Sequence, residues 1–136
     1  MNLPQHKHLI DVKWVFKTKF KSNSSIIKHK ARLVAKGFLQ KLGVDFTNVY
    51  APIARLETVR LVIVVASWRN WEISQLDVKS TFLNGPLKEK VYVKQPPGFE
   101  RRAKEQKVFK QQKTLYGLRQ ALRAWNKCWN KCIDLF

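Results

Sequence analysis

The sequence predicts an α+β fold, and three stretches carry the expectation. Val12 to Phe20 is rich in β-branched and aromatic residues in partial alternation, and the turn chemistry of Ser22-Asn23-Ser24-Ser25 leads into a second β-like run. Trp71 to Val78 reads as a further strand, with Leu76 and Val78 on one side and Asp77 on the other. Leu118 to Phe136 instead sets Leu118, Ala121, Leu122, Trp125, Trp129, Cys132 and Phe136 at steps of three and four, the spacing of an amphipathic helix.

In chain order, the first pair of runs makes a hairpin over roughly residues 12 to 37. Gly37, Gly43 and Pro52 then punctuate an irregular connection. Leu56 to Arg69 is ambiguous from its residues alone, because its valines and isoleucine favour a strand while its length exceeds that of ordinary strands and suits a buried helix. After the Trp71 to Val78 strand, Asn84-Gly85-Pro86 predicts a tight turn, and Val91-Tyr92-Val93 a short strand ended by Pro96-Pro97-Gly98. Glu100 to Lys113 is strongly charged, so its first half reads as a solvated loop and Val108 to Leu115 as strand, placed beside the Asp77 strand. Neither an internal repeat nor a linker divides residues 1–136, which form one domain.

A hydrophobic share of 45% is ample for a core. The 27 basic residues outnumber the 9 acidic ones, giving +18, and such an excess suits a polyanion, since each phosphate neutralised releases condensed counterions. Nucleic acid is the first such partner; lysines that merely solvate the surface are the alternative. The longest strongly apolar run, Leu61 to Ala66, is far short of the ~20 residues that span a bilayer. Met1 to His8 has no apolar signal core, so a cytoplasmic or nuclear location is expected. Cys128 and Cys132 share a helix face, but His6, His8 and His29 are too distant in sequence to complete a zinc site, and reduced thiols are expected.

Asp77, at the end of an apolar strand with the aromatic Phe82 five residues on, suits a metal-assisted nucleotide site. On its own, an aspartate at a strand end is more often a turn or helix cap. Lys30, Arg32 and Lys36 fall on one face of the second hairpin strand by alternation, a strip of cations able to meet phosphate or simply to face water. Trp125 and Trp129, one helical turn apart, read as core rather than as base-stacking platforms.

Four blocks in a fixed order connect these features: Lys30 to Phe38, Gln75 to Gly85, Gln95 to Phe99 and Leu115 to Ala121. From about Lys13 to about Trp125 the chain resembles the reverse transcriptase of copia-type LTR retrotransposons. The resemblance implies a right-hand polymerase fold, with residues 12–37 as the fingers hairpin and residues 56–136 as an incomplete palm and fingers helix, and it favours helix over strand from Leu56 to Arg69. It implies that Asp77 is catalytic and binds metal together with the Val78 carbonyl, and that Phe82 lies beneath the sugar, where it excludes a ribose 2′-hydroxyl. By the same resemblance Lys30, Arg32 and Lys36 meet the nucleotide or the template backbone, while Tyr116, Gly117 and Gln120 lie close to template and nucleotide.

In the intact family enzyme the cofactor is Mg2+ or Mn2+, and the partners are an RNA or DNA template-primer, a deoxynucleotide and the remainder of the Pol polyprotein, within a virus-like particle and away from membrane. Leu122 stands where the family carries proline, Asn126 where it carries an aromatic, and Gln112 where it carries an apolar strand residue. The family's second acidic motif is a hairpin with two adjacent aspartates. Here Asp11, Asp45, Asp77 and Asp134 are the only aspartates and none is adjacent to another, so the fold is expected to stop short of that hairpin. A nucleotidyltransferase fragment inactive by itself is the expectation; a noncatalytic basic nucleic-acid-binding fragment or a decayed remnant is the alternative.

Overall fold

A computed structural model describes residues 1–133. The expectations for Asp134, Phe136 and the Cys132 side chain lie outside the described residues. Strands β1 (Leu9–Ile10), β2 (Val12–Phe20) and β3 (Ile26–Ala35) come first, followed by helix α1 (Leu56–Trp68), β4 (Pro86–Val93), β5 (Phe109–Lys113) and helix α2 (Ala121–Ile133). Helices and strands occupy separate stretches of chain, the mixed composition expected.

The hairpin is where the sequence places it. β2 and β3 pair antiparallel from Val12↔Ala35 to Lys19↔Lys28, and a bulge at Phe20 lets the ribbon twist into its turn. The second sheet has the order β1-β4-β5, with β1 parallel and β5 antiparallel to β4. Its centre, Val91 to Val93, is buried at three consecutive positions, and since successive side chains point to opposite faces, both faces of the strand are covered there. The core joins the two sheets and α2: Ile10, Val12, Ala35, Val91, Val93, Leu118 and Ala121, with Leu33, Phe82, Leu87 and Leu115 packed against them.

Several expectations are corrected. Trp71 to Val78 forms no strand and runs as irregular chain, because a strand needs a neighbour for its backbone groups and β5 gives its paired edge to β4 instead. The turn expected at Asn84-Gly85-Pro86 is a 3-10 turn over Thr81–Asn84 that feeds directly into β4, which is longer than the predicted Val91 to Val93. Leu56–Trp68 is helical but not buried: Ala66 alone is buried, and Trp68 is 79% exposed. Its apolar residues surround the whole helix, the pattern of an element enclosed on all sides, yet among the described residues no element encloses it. Leu9–Ile10, too short to announce itself, is the strand that the sequence reading missed.

Candidate functional site

Strand pairing sorts the ribbon's side chains by face, since directly paired residues project to the same side. Lys13, Lys17 and Lys19 of β2 pair with Val34, Lys30 and Lys28 of β3, and Val15 pairs with Arg32. Six cations therefore share one face without an acidic residue among them. Their mutual repulsion is felt at Lys30, whose ammonium is held below the usual lysine range by the charge of Lys19 first, then by partial burial and by Arg32 and Lys28. An anion laid on this face would relieve that repulsion.

Below the ribbon lies a cavity of about 710 Å3, lined by Lys28, Lys30 and Arg32 of β3, by Asp77 to Thr81, and by Leu115 and Tyr116. Segments some 45 residues apart in sequence thus meet at one opening, with four cations (Lys28, Lys30, Arg32, Lys79) against the single carboxylate of Asp77. Asp77 is exposed and precedes a turn in which Ser80 adopts a left-handed backbone, φ 55°. The Thr81 hydroxyl donates to the Val78 carbonyl at 2.7 Å and ties this turn together. Phe82, just behind it, packs edge-on against Tyr116 at 5.6 Å, and the Arg32 guanidinium sits 5.8 Å from the same ring. Tyr116 consequently links the predicted sugar-side aromatic to a predicted phosphate-side cation.

Gly117 is where the ribbon docks. The Ala35 amide donates to the Tyr116 carbonyl at 2.7 Å, and Gly117 has φ +88° with its backbone against Ala35 and Val34. A side chain here would strike the Ala35 carbonyl, and one at Gly37 would strike the Gly117 carbonyl, so both glycines serve close backbone approach.

Two predicted site residues are placed elsewhere. Lys36 lies beyond the end of β3, so alternation no longer governs it. Its ammonium pairs with Asp11 at 3.3 Å, while Lys94 takes the other Asp11 oxygen at 2.6 Å. The Lys94 hydrogen bond, followed by that of Lys36, keeps the Asp11 carboxyl below the usual carboxylate range against the opposing effect of desolvation. Gln120 is 1% exposed and its amide is engaged: Oε1 accepts from Gln40 Nε2 and Nε2 donates to the Asp45 carbonyl, both at 3.0 Å. It is an internal strut rather than a group presented to a base. Sequence reasoning also missed Asp11, Gln40 and Asp45, whose only signal was polarity among apolar neighbours.

A two-ion centre needs a cluster of acidic donors. Asp77 is the one carboxylate lining the cavity, the Val78 carbonyl already accepts from Thr81, and among the described residues no three His, Cys, Asp or Glu side chains gather as a metal site would require. These residues by themselves do not fit a Mg2+ or Mn2+ pair.

The opening sets four cations against one carboxylate, an electrostatic balance that suits an anionic group. The family described as reverse transcriptase (RNA-dependent DNA polymerase) matches residues 1–135, and the chain belongs to it. The Retrovirus-related Pol polyprotein from transposon TNT 1-94 of Nicotiana tabacum is 43% identical over 125 residues, 92% of this chain and 9% of that protein. That from transposon RE1 of Arabidopsis thaliana is 43% identical over 122 residues, 90% of this chain and 8% of the relative. The truncated transposon Ty1-A Gag-Pol polyprotein of Saccharomyces cerevisiae is 31% identical over 97 residues, covering 71% of this chain and 8% of the relative. The chain therefore corresponds to a stretch of the copia-type Pol reverse transcriptase region and spans less than a tenth of the length of these relatives. No solved structure matches it.

Proposed function

We propose that the chain is the fingers and part of the palm of an RNA-directed DNA polymerase, in which the cavity beneath the ribbon receives the triphosphate of a deoxynucleotide or the template backbone. The observation that carries this reading is the meeting of Lys30, Arg32, Asp77, Val78 and Tyr116 around one opening. Lys30 and Arg32 neutralise phosphate, the latter able to do so with two hydrogen bonds. Asp77 contributes one metal-binding carboxylate, and Phe82, held by Tyr116, borders the sugar. Lys36 and Gln120 support the ribbon and α2 and touch neither ligand.

Chemistry needs further acidic groups. The exposed apolar surface of α1, with Trp71, Ile73 and Leu76 beside it in sequence, supports the remainder of the Pol polyprotein as the partner that would cover it. The 136-residue chain is then a binder of template-primer RNA or DNA without polymerase activity of its own. A noncatalytic nucleic-acid-binding role is favoured independently by the six-cation face. Primer extension with Mg2+ tests the first reading: no extension by this chain, and extension that depends on Asp77 when the rest of the polymerase region is supplied. Activity of the longer protein that survives Asp77→Ala would refute the assignment.

A further inference from the structure

Between Asp11 and Asp45 the chain carries nine lysines and arginines and no acidic residue. Six of these cations share one face of the β2–β3 ribbon, and the last cationic rung before the turn sets Lys19 opposite Lys28. The turn that follows, Lys21 to Ser25, is exposed throughout and supplies three serines at the ribbon's tip.

The structure gives work to most of the hydroxyls in this stretch. Thr18 Oγ1 meets His29 Nδ1 at 3.1 Å. Ser25 donates to Asn23 Oδ1 from both its amide, at 3.2 Å, and its hydroxyl, at 2.7 Å, the local bonding by which Asn and Ser build turns. The Lys21 amide donates to the Ser25 carbonyl at 2.8 Å and the Ser24 amide to the Lys21 carbonyl at 3.0 Å, which closes the loop with Ser24 in the left-handed region at φ 62°. Ser22 enters none of these bonds. Its exposed hydroxyl has no partner among the described residues, so the turn does not depend on it.

Lys21 immediately precedes Ser22, and Lys19 lies three residues before it. An enzyme that chooses its acceptor serine by preceding cations would read this pattern with acidic side chains of its own. An exposed tip can enter such a cleft without opening the core, which begins only at the ribbon's base with Val12 and Ala35.

We propose that Ser22 is a phosphorylation site for a serine kinase directed by basic residues, and that the phosphate weakens the ribbon's cationic face as a polyanion-binding surface. In the transfer, Ser22 Oγ attacks the terminal phosphorus of a nucleoside triphosphate bound to the kinase. The new O–P bond forms as the bond to the nucleoside diphosphate breaks, and the hydroxyl proton passes to the kinase's catalytic carboxylate. The added group brings about −1.5 to −2 charges near neutral pH, flanked by Lys19, Lys21 and Lys28. Cations paired with it no longer release counterions from nucleic acid. The site stands on the turn itself, whereas its consequence rests on the nucleic-acid reading above, so the two fail by different results.

The test incubates the 136-residue chain with Mg2+, ATP and the catalytic subunit of cyclic-AMP-dependent protein kinase, and locates phosphate by peptide mass spectrometry. Ser22 should be modified, and Ser22→Ala should take up no phosphate at the tip. A chain made with phosphoserine encoded at position 22 should bind a DNA duplex about tenfold or more weakly than wild type at ~0.15 M salt, with a log–log salt slope smaller by about 1–2. Phosphatase treatment should restore binding, and far-UV circular dichroism should not change, which separates charge from damage to the ribbon. Ser22→Ala should bind like wild type. Absence of phosphate from Ser22, or phosphate confined to other serines, would overturn the proposal, as would an unchanged affinity and slope in the phosphoserine chain. If unmodified wild type binds no duplex, the nucleic-acid reading fails, while mass spectrometry still decides whether Ser22 is the site.

Discussion

Replacing Gln120 with alanine discriminates between a residue that touches a base and one that holds the fold. In the structure its side chain is 1% exposed, and both amide atoms are used, one by Gln40 and one by Asp45. Truncation would leave the Gln40 amide donor and the Asp45 carbonyl buried without these partners, at about 1–3 kcal/mol each. Together that is roughly 2–6 kcal/mol, a large part of the ~5–15 kcal/mol by which a small domain is stable. For a chain of this size it corresponds to a fall in Tm of about 8–24 °C. The Gln40 Oε1 also accepts from the Arg119 amide at 2.8 Å, and Arg119 Nε donates to the Gly37 carbonyl at 3.1 Å, so the loss would spread to the dock between ribbon and α2. Urea denaturation followed by tryptophan fluorescence, together with far-UV circular dichroism on heating, would measure it. A variant with a Tm within about 2 °C of wild type but with impaired binding of template-primer would refute the strut assignment and return Gln120 to the ligand.

Three further outcomes are expected. Gly117→Ala should cost more than about 2 kcal/mol, because left-handed strain and a collision with Ala35 act together, whereas Gly98→Ala, at φ +82° with open space around it, should cost about 1 kcal/mol by strain alone; equal losses in denaturant titrations would refute the close-approach argument. Asp11 has a folded pKa below its unfolded value of 3.8, so its contribution is fully present above that value and is lost as pH falls through the lower folded one; Asp11→Asn should remove this acid-side loss from a stability-against-pH curve, and an unchanged acid limb would refute the pairing with Lys94 and Lys36. Lys30 is shifted downward by its cationic neighbours, so an anion that relieves them should raise its pKa and bind with proton uptake, and affinity for duplex should weaken on the alkaline side more in wild type than in Lys30→Ala; parallel pH profiles would refute the coupling.

The ribbon was legible because its two strands satisfy each other: alternation, turn residues and pairing all lie within residues 12–35. The terminal helix was legible for the same reason, since its apolar spacing and the Leu118 and Ala121 anchors are local. What could not be read was anything set by distant partners. Nothing in Leu9–Ile10 states that it will lie parallel to β4, and nothing in Gln120 states that Gln40 and Asp45 will take its amide. Lys36 misled because alternation was carried one residue past the end of the strand, where the chain turns toward Asp11.

The Asp77 segment failed in a more instructive way. Leu76-Asp77-Val78 has the alternation of a strand, and α1 before it has the all-round apolarity of an enclosed helix, yet one runs irregular and the other is exposed. Both departures have one cause. A strand interior requires hydrogen-bonding edges and an all-apolar helix requires covering surfaces, and the described residues supply neither for residues 56–78. The segments on either side, by contrast, meet their own requirements through β4, β5 and α2. Over residues 56–78, then, sequence and structure diverge where the local pattern specifies a neighbour that the described residues do not provide. The same stretch bears the single carboxylate on which a two-ion chemistry would depend. The exposed α1 and the irregular Asp77 segment thus adjoin in one stretch of chain, whereas the cation-lined cavity is formed by β3, residues 77–81 and Tyr116 without any contribution from α1.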